Sequence, residues 1–177
     1  MIVTTRRLDL HPLPLQVIDA VLEGDLSRAR ELVPYDVDET TFAEDGYVLQ
    51  LRQAQLRADP TELPWLYRAA VLRGTRQVVA RGGFHAPPDA EGSVEIGYRV
   101  RPEHRRQGLA TELAAGLIGW AREQGAARCL ASTAPDNAAS QAVLDRLGFV
   151  RTGEAVDEVD GLEWVFTLEL RDPVAVR

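Results

Sequence analysis

Apolar and polar positions alternate most clearly over residues 94–100, where Val94, Ile96, Tyr98 and Val100 share one side and Glu95, Gly97 and Arg99 the other. A strand is expected there, stopped at Pro102, which has no amide donor and biases Arg101 toward extended backbone. The period then changes. Leu109, Leu113, Leu117 and Trp120 recur at helical spacing, Ala110, Ala114 and Ala121 widen the stripe, and Gly125 ends it. This helix therefore starts within residues 105–108.

Upstream, residues 2–10 read as a first strand, and Leu15–Leu22 and Leu26–Leu32 as two short helices around Gly24. Residues 47–57 fit either a helix or a strand. Residues 66–72 and 77–84 read as strands joined near Gly74, and the loop 87–92 leads into the strand carrying Glu95, giving an antiparallel meander. Downstream, Arg128–Thr133 reads as a short strand. Pro135-Asp136-Asn137 forms a turn into a second helix with the face Ala139, Ala142, Val143 and Leu147. Gly148 ends that helix in a left-handed conformation, and Phe149 begins two final strands across Asp160-Gly161. The strand–helix–strand unit 94–133 should cross over right-handed, its strands locally parallel or splayed where a ligand enters. The whole is a mixed sheet flanked by helices.

At 177 residues, 45% hydrophobic and 27% charged, the chain is expected to form one soluble globular domain, 1–177. The most apolar run, 109–121, contains Glu112 and is too short to cross a bilayer, and the N-terminus lacks an apolar signal core, so no membrane partner and a cytoplasmic location are expected. Cys129 is the only cysteine and reads as buried strand filler. His11, His85 and His104 show no ligand spacing, so no metal is implied. The net charge of −7 argues against a nucleic-acid partner and leaves cationic acceptors compatible. The acidic residues Glu154, Asp157, Glu158, Asp160 and Glu163 suit either the attraction of an amine or a solvated hairpin tip.

The segment Arg105-Arg106-Gln107-Gly108-Leu109-Ala110 carries the clearest chemistry. A helix N-terminus exposes about four unpaired amides and roughly half a positive charge, which suits phosphate oxygens. Gly108 lets the backbone come close, Arg105 and Arg106 add pairing charge, and Ala110 leaves the first turn clear. A solvated turn is the alternative.

Arg105-x-x-Gly108-x-Ala110 resembles the pyrophosphate loop, Gln/Arg-x-x-Gly-x-Gly/Ala, of the GNAT superfamily of N-acetyltransferases. Glu95-Ile96-Gly97-Tyr98, Asn137-x-x-Ser140 and Leu147-Gly148-Phe149 are similar to the RimJ/RimL-like branch, and the opening residues 5–10 more weakly so. The resemblance implies a single α/β (α+β) domain: a mixed, mostly antiparallel sheet of about seven strands, flanked by helices and splayed at the acetyl-CoA site. It implies an N-acetyltransferase with acetyl-CoA as co-substrate and no metal, in which a primary amine attacks directly. A peptide N-terminal α-amine is the acceptor suggested by that branch. A small-molecule amine such as an antibiotic or polyamine, and a non-catalytic acyl-CoA sensor, stay open, as does a homodimer.

Carried over residue by residue, the resemblance places the cofactor against Tyr98, Arg99, Val100, Arg105, Arg106, Gln107, Gly108, Leu109, Ala110, Thr111, Asn137 and Ser140. Asn137 would meet the pantetheine arm or simply cap its helix. Glu95 is the expected general base, its proton affinity raised by partial burial and Gly97 leaving room for the amine; an ion pair with Arg99 is the alternative. Many members carry a tyrosine where Leu144 stands, so the thiolate acid falls to Ser140, a water or the acceptor, with Tyr98 expected to face the core. Trp65, Tyr67 and Trp164 form either an acceptor pocket, an exposed patch or core packing.

Overall fold

The computed structural model describes residues 1–157 and 161–170. The strands are β1 (Val3–Thr4), β2 (Leu8–Pro12), β3 (Arg68–Leu72), β4 (Val78–Phe84), β5 (Ser93–Val100), β6 (Arg128–Thr133), β7 (Val150–Asp157) and β8 (Gly161–Glu169). The helices are α1 (Leu15–Leu22), α2 (Leu26–Leu32), α3 (Gly46–Ala58), α4 (Leu109–Glu123) and α5 (Ala138–Arg146). One mixed sheet runs β1-β2-β3-β4-β5-β6-β8-β7, antiparallel throughout except for the β5–β6 pair.

The sheet separates two apolar layers. On one side α4 buries Leu109, Leu113, Leu117 and Trp120 against Leu8, Leu10, Ile96 and Phe84. On the other, α1, α2 and α3 bury Val17, Ile18, Ala29, Leu49 and Leu56 against Ala69 and Val71. Each large apolar side chain removed from water here contributes roughly 1.5–3 kcal/mol. Cys129 is fully buried, and desolvation pushes its thiol up to about 12, which fits its reading as strand filler. Trp65 packs edge-on against Phe84 and Trp120, and Trp164 lies beneath the Arg151 guanidinium. No helix among the described residues is long and apolar enough to cross a membrane.

Two expectations change and one open reading closes. Residues 2–10 form two strands, because Thr5 N donates to Leu8 O (2.8 Å) and the turn between them is held by Glu112, which accepts from Arg7 N (2.6 Å) and Thr5 Oγ1 (2.8 Å). That split raises the strand count from about seven to eight. The ambiguous residues 47–57 are helical, within α3. In α5 the expected apolar face divides: Leu147 packs against the core beside the buried Leu144, while Ala139, Ala142 and Val143 line a cleft. Glu158 and Asp160, part of the acidic segment and of the expected turn, lie outside the described residues.

Two adjacent glycines in β4 stand where neighbouring atoms leave no room for a side chain. A Cβ on Gly82 would meet Leu113 Cδ2 of α4 at 2.8 Å, and one on Gly83 would meet Leu66 O at 2.1 Å and its carbonyl carbon at 2.7 Å. The obstacle at Gly83 is main chain and has no rotamer to change. Gly83→Ala is therefore expected to destabilise the protein by about 1–3 kcal/mol, read as a lower urea midpoint with an unchanged slope.

Candidate active site

β5 and β6 part company inside the sheet. They pair at Ser93↔Arg128, Val94↔Cys129 and Glu95↔Leu130. Beyond that point β5 stays paired with β4 as far as Val100, while β6 stays paired with β8 as far as Thr133. The edge of β5 facing β6 is thus open from Ile96 onward, leaving backbone groups without ladder partners on that side. A cleft of about 850 Å³ occupies the gap and extends along both sides of the sheet.

At one end the cleft meets the segment 105–111. Gly108 occupies the N-cap of α4 with φ 74°, and Arg106 is also left-handed at φ 59°. No side chain caps the first turn, so its amides remain available to a ligand. Arg105, Arg106, Gly108, Leu109, Ala110 and Thr111 line the cleft. Gln107 does not; its carbonyl instead accepts from Arg7 Nη1 at 3.0 Å. Arg7 Nε in turn pairs with Glu112 Oε2 at 2.6 Å, so Arg7 ties the loop to both the N-terminal turn and α4. Sequence reasoning missed this brace because its partners lie about a hundred residues apart. Arg105 Nε donates to Val100 O at 3.1 Å, so part of its guanidinium closes the strand end.

The second wall is α5. Asn137 Oδ1 accepts from Ser140 N at 3.1 Å, which is the helix-cap reading, while both residues also line the cleft. Tyr98 lies on the core-facing side with Ile96 and Val100, as alternation requires, yet its ring spans that layer and its hydroxyl comes 3.3 Å from Ser140 Oγ inside the cleft. Burial raises the Tyr98 pKa, so the phenol keeps its proton. Leu144 is 1% exposed and presents nothing to the cleft.

On the opposite side of the sheet, antiparallel register aligns Arg81 with Arg99 and Gly83 with Gly97, and His85 N donates to Glu95 O at 2.9 Å. These six residues form a strip with arginines at one end and a histidine and a carboxylate at the other. Ser132 Oγ donates to Glu95 Oε1 (2.8 Å), and Glu95 Oε2 lies 3.4 Å from His85 Nδ1. The pKa of Glu95 is lowered, first by His85, with burial opposing and Ser132 assisting, which reverses the expected rise. Its partner is not Arg99, which pairs with Glu44 at 2.6 Å. The space expected beside Gly97 is filled by imidazole: a Cβ there would come within 3.1 Å of His85 Nε2. His85 and Gly97 line the cleft, whereas Glu95 stands behind the ring. Tyr67 also reaches the cleft, with its hydroxyl donating to buried Asp45 at 2.7 Å.

A family described as an acetyltransferase (GNAT) domain matches residues 7–150. A Bacillus subtilis protein described as the uncharacterized N-acetyltransferase YjdG is 28% identical over 155 residues, covering 85% of this chain and 90% of its own. Among solved structures, the ribosomal-protein-S5-alanine acetyltransferase of Vibrio fischeri superposes with a TM-score of 0.67 at 16% identity, over 97% of this chain and 98% of that one. RimL, a ribosomal L7/L12 alpha-N-protein acetyltransferase solved with coenzyme A, superposes with a TM-score of 0.65 at 16% identity, over 96% of this chain and 98% of that one. The solved structures share the overall fold, and the family match over residues 7–150, with the N-acetyltransferase relative, establishes that the chain belongs to the GNAT family and is an acetyltransferase.

Proposed function

We propose that this enzyme transfers the acetyl group of acetyl-CoA to a primary amine by direct attack, with the amine approaching along the strip that ends in His85 and Glu95. The observation that carries the reading is the continuity of one cleft. It joins a phosphate-suited helix start, an open strand edge and a histidine–carboxylate pair without interruption. No Asp or Glu lines that cleft among the described residues, so a pyrophosphate entering it meets Arg105 and Arg106 and no opposing carboxylate.

When bound, acetyl-CoA supplies a thioester carbonyl. The first-turn amides of α4, with Arg105 and Arg106, hold the pyrophosphate, and Leu109, Ala110 and Thr111 complete that seat. The free edge of residues 98–100 holds the pantetheine and the carbonyl oxygen, with Asn137 and Ser140 on the facing wall. His85 Nε2 takes the proton of the attacking amine, held in its tautomer by Glu95 at Nδ1, and Ser132 fixes Glu95. The role expected of Glu95 alone thereby passes to the pair, because His85 is the member that faces the cleft. As the nitrogen–carbon bond forms and the carbon–sulfur bond breaks, the sulfur leaves with the electron pair. Tyr98 and Ser140 donate hydrogen bonds to it, and the proton that it finally carries offsets the one lost by the amine.

The test is thiol release from acetyl-CoA across peptides, amino acids, polyamines and aminoglycosides, with calorimetric acetyl-CoA binding alongside. Release with one amine class is expected. Binding without release on any amine would instead indicate a sensor, and no binding would overturn the assignment of 105–111.

A further inference from the structure

The acceptor side of the cleft is cationic in a chain whose net charge is −7. Arg81 and Arg99 face each other across β4 and β5, and Arg52 reaches the same wall from α3. Arg81 pairs with Asp45 and Arg99 with Glu44, so these two are neutralised where they stand. Arg52 is different. It is 7% exposed, and Nη1 donates to two neutral oxygens, Gln55 Oε1 and His85 O, the latter at 2.7 Å. It forms no ion pair among the described residues, Glu62 acting on it only through space, and its other guanidinium nitrogens have no hydrogen-bond partner.

Glu62, whose Oε2 is buried without a hydrogen-bond partner, acts on Arg52 but does not pair with it, and a buried guanidinium without a paired carboxylate is costly, a cost that a ligand anion reaching Arg52 would offset. The His85 end of the strip, where Arg52 is anchored, also carries negative charge behind the ring. Glu95 lies there, and Asp157 of β7 acts on it through space. Arg52 and His85 thus stand side by side on the cleft wall, joined by the bond from Nη1 to the His85 main-chain oxygen, with Glu95 behind the imidazole.

We propose that the acceptor is an amine that also carries a carboxylate, its anion seated on Arg52 with Arg81 and Arg99 behind it and its amine held at His85 and Glu95. This rests on the acetyltransferase reading of the same cleft and narrows it, against the cationic acceptors that the overall charge suggests. A free amino acid and a peptide with an acidic side chain near its N-terminus present the same chemistry.

Matched amines separate the possibilities. Thiol release is measured with alanine and alaninamide, with C-terminally amidated peptides beginning Ala-Glu and Ala-Gln, and with spermidine as a cationic control. Each carboxylate member is expected to exceed its amide partner in kcat/KM by at least about 10-fold, the share of one charge-assisted contact. Which pair responds identifies a free amino acid or a peptide. Arg52→Gln should raise KM for the carboxylate member about 10- to 100-fold with little change in kcat. Acetyl-CoA affinity should stay the same, and Arg52→Lys should restore part of the loss. The more exposed Arg99→Gln gives a smaller rise and guards against misfolding of the buried variant. Equal or faster turnover of amides or spermidine overturns the proposal and leaves the acetyltransferase reading intact, as does turnover indifferent to Arg52. Absence of turnover with both carboxylate amines also counts against it, whereas failure to bind acetyl-CoA removes the reading beneath it.

Discussion

His85→Ala is expected to lower kcat by about 10²- to 10⁴-fold, the range that a positioned general base contributes, while acetyl-CoA affinity is retained. The imidazole is the group over Gly97 in the cleft, and it is the base of that strip that lines the cleft, Glu95 standing behind it. Glu95→Gln keeps the shape and the bond from Ser132 but removes the charge that holds Nδ1, so a smaller loss is expected. The pH dependence follows from the direction of the Glu95 shift. His85 lowers its pKa, so the carboxylate is ionised through the neutral range and becomes protonated only as pH falls through that lowered value. The stability gained from the pair has the same sign: present above the ordinary carboxylate value, lost as pH falls through the folded one. Wild-type kcat/KM should therefore carry an acid limb as Glu95 becomes protonated, and Glu95→Gln should remove it. If His85→Ala keeps its rate within a few-fold while Glu95→Gln loses more than 100-fold, the carboxylate is the base and acts through water.

What the sequence disclosed is what is encoded locally. The stripe Leu109–Leu113–Leu117–Trp120, the glycines at 125 and 148 and the capping Asn137 all act within a turn or two of themselves, and they stand in the structure where periodicity places them. The misread features depend on distant partners. Arg6 and Arg7 form a turn because Glu112 accepts from Arg7, which no local pattern reveals. The α5 stripe of Ala139, Ala142 and Val143 is apolar because it faces the cleft left by the splayed strands, so the same pattern that signals core packing signals a site wall. Glu95 was legible as a chemical residue, but the sign of its pKa shift was not, since it is set by His85 just past the end of β4 and Ser132 on β6. Signals were present for two of the missed residues. Arg52 falls between Leu49 and Leu56 on the buried face of α3, where a charged residue is out of place without a partner. His85 continues the alternation Arg81, Gly83 that mirrors Arg99, Gly97, Glu95 across the hairpin.

Gly108→Val should weaken acetyl-CoA binding about 5- to 30-fold, with kcat at saturation nearly unchanged. The argument is one of backbone conformation. Gly108 sits at φ 74°, where a residue with a Cβ costs about 1–2 kcal/mol and a β-branched one is least tolerated. Space is not the obstacle, because the nearest atom to an added Cβ is Arg7 Nη2 at an ordinary 3.7 Å. The strain is relieved by rotating the peptide planes of the loop, which turns the first amides of α4 away from the cleft, and the cost then appears as lost affinity for the pyrophosphate. Arg106, already left-handed at φ 59°, leaves the loop little freedom to absorb a second such residue. Gly119→Ala, in the interior of the same helix with nothing within 4 Å of the added methyl, is the control. It should stabilise α4 by about 0.5–1 kcal/mol and leave binding unchanged. Wild-type affinity for acetyl-CoA in Gly108→Val would mean that the pyrophosphate does not rest on the start of α4, and Arg105 and Arg106 would then serve the loop's own structure.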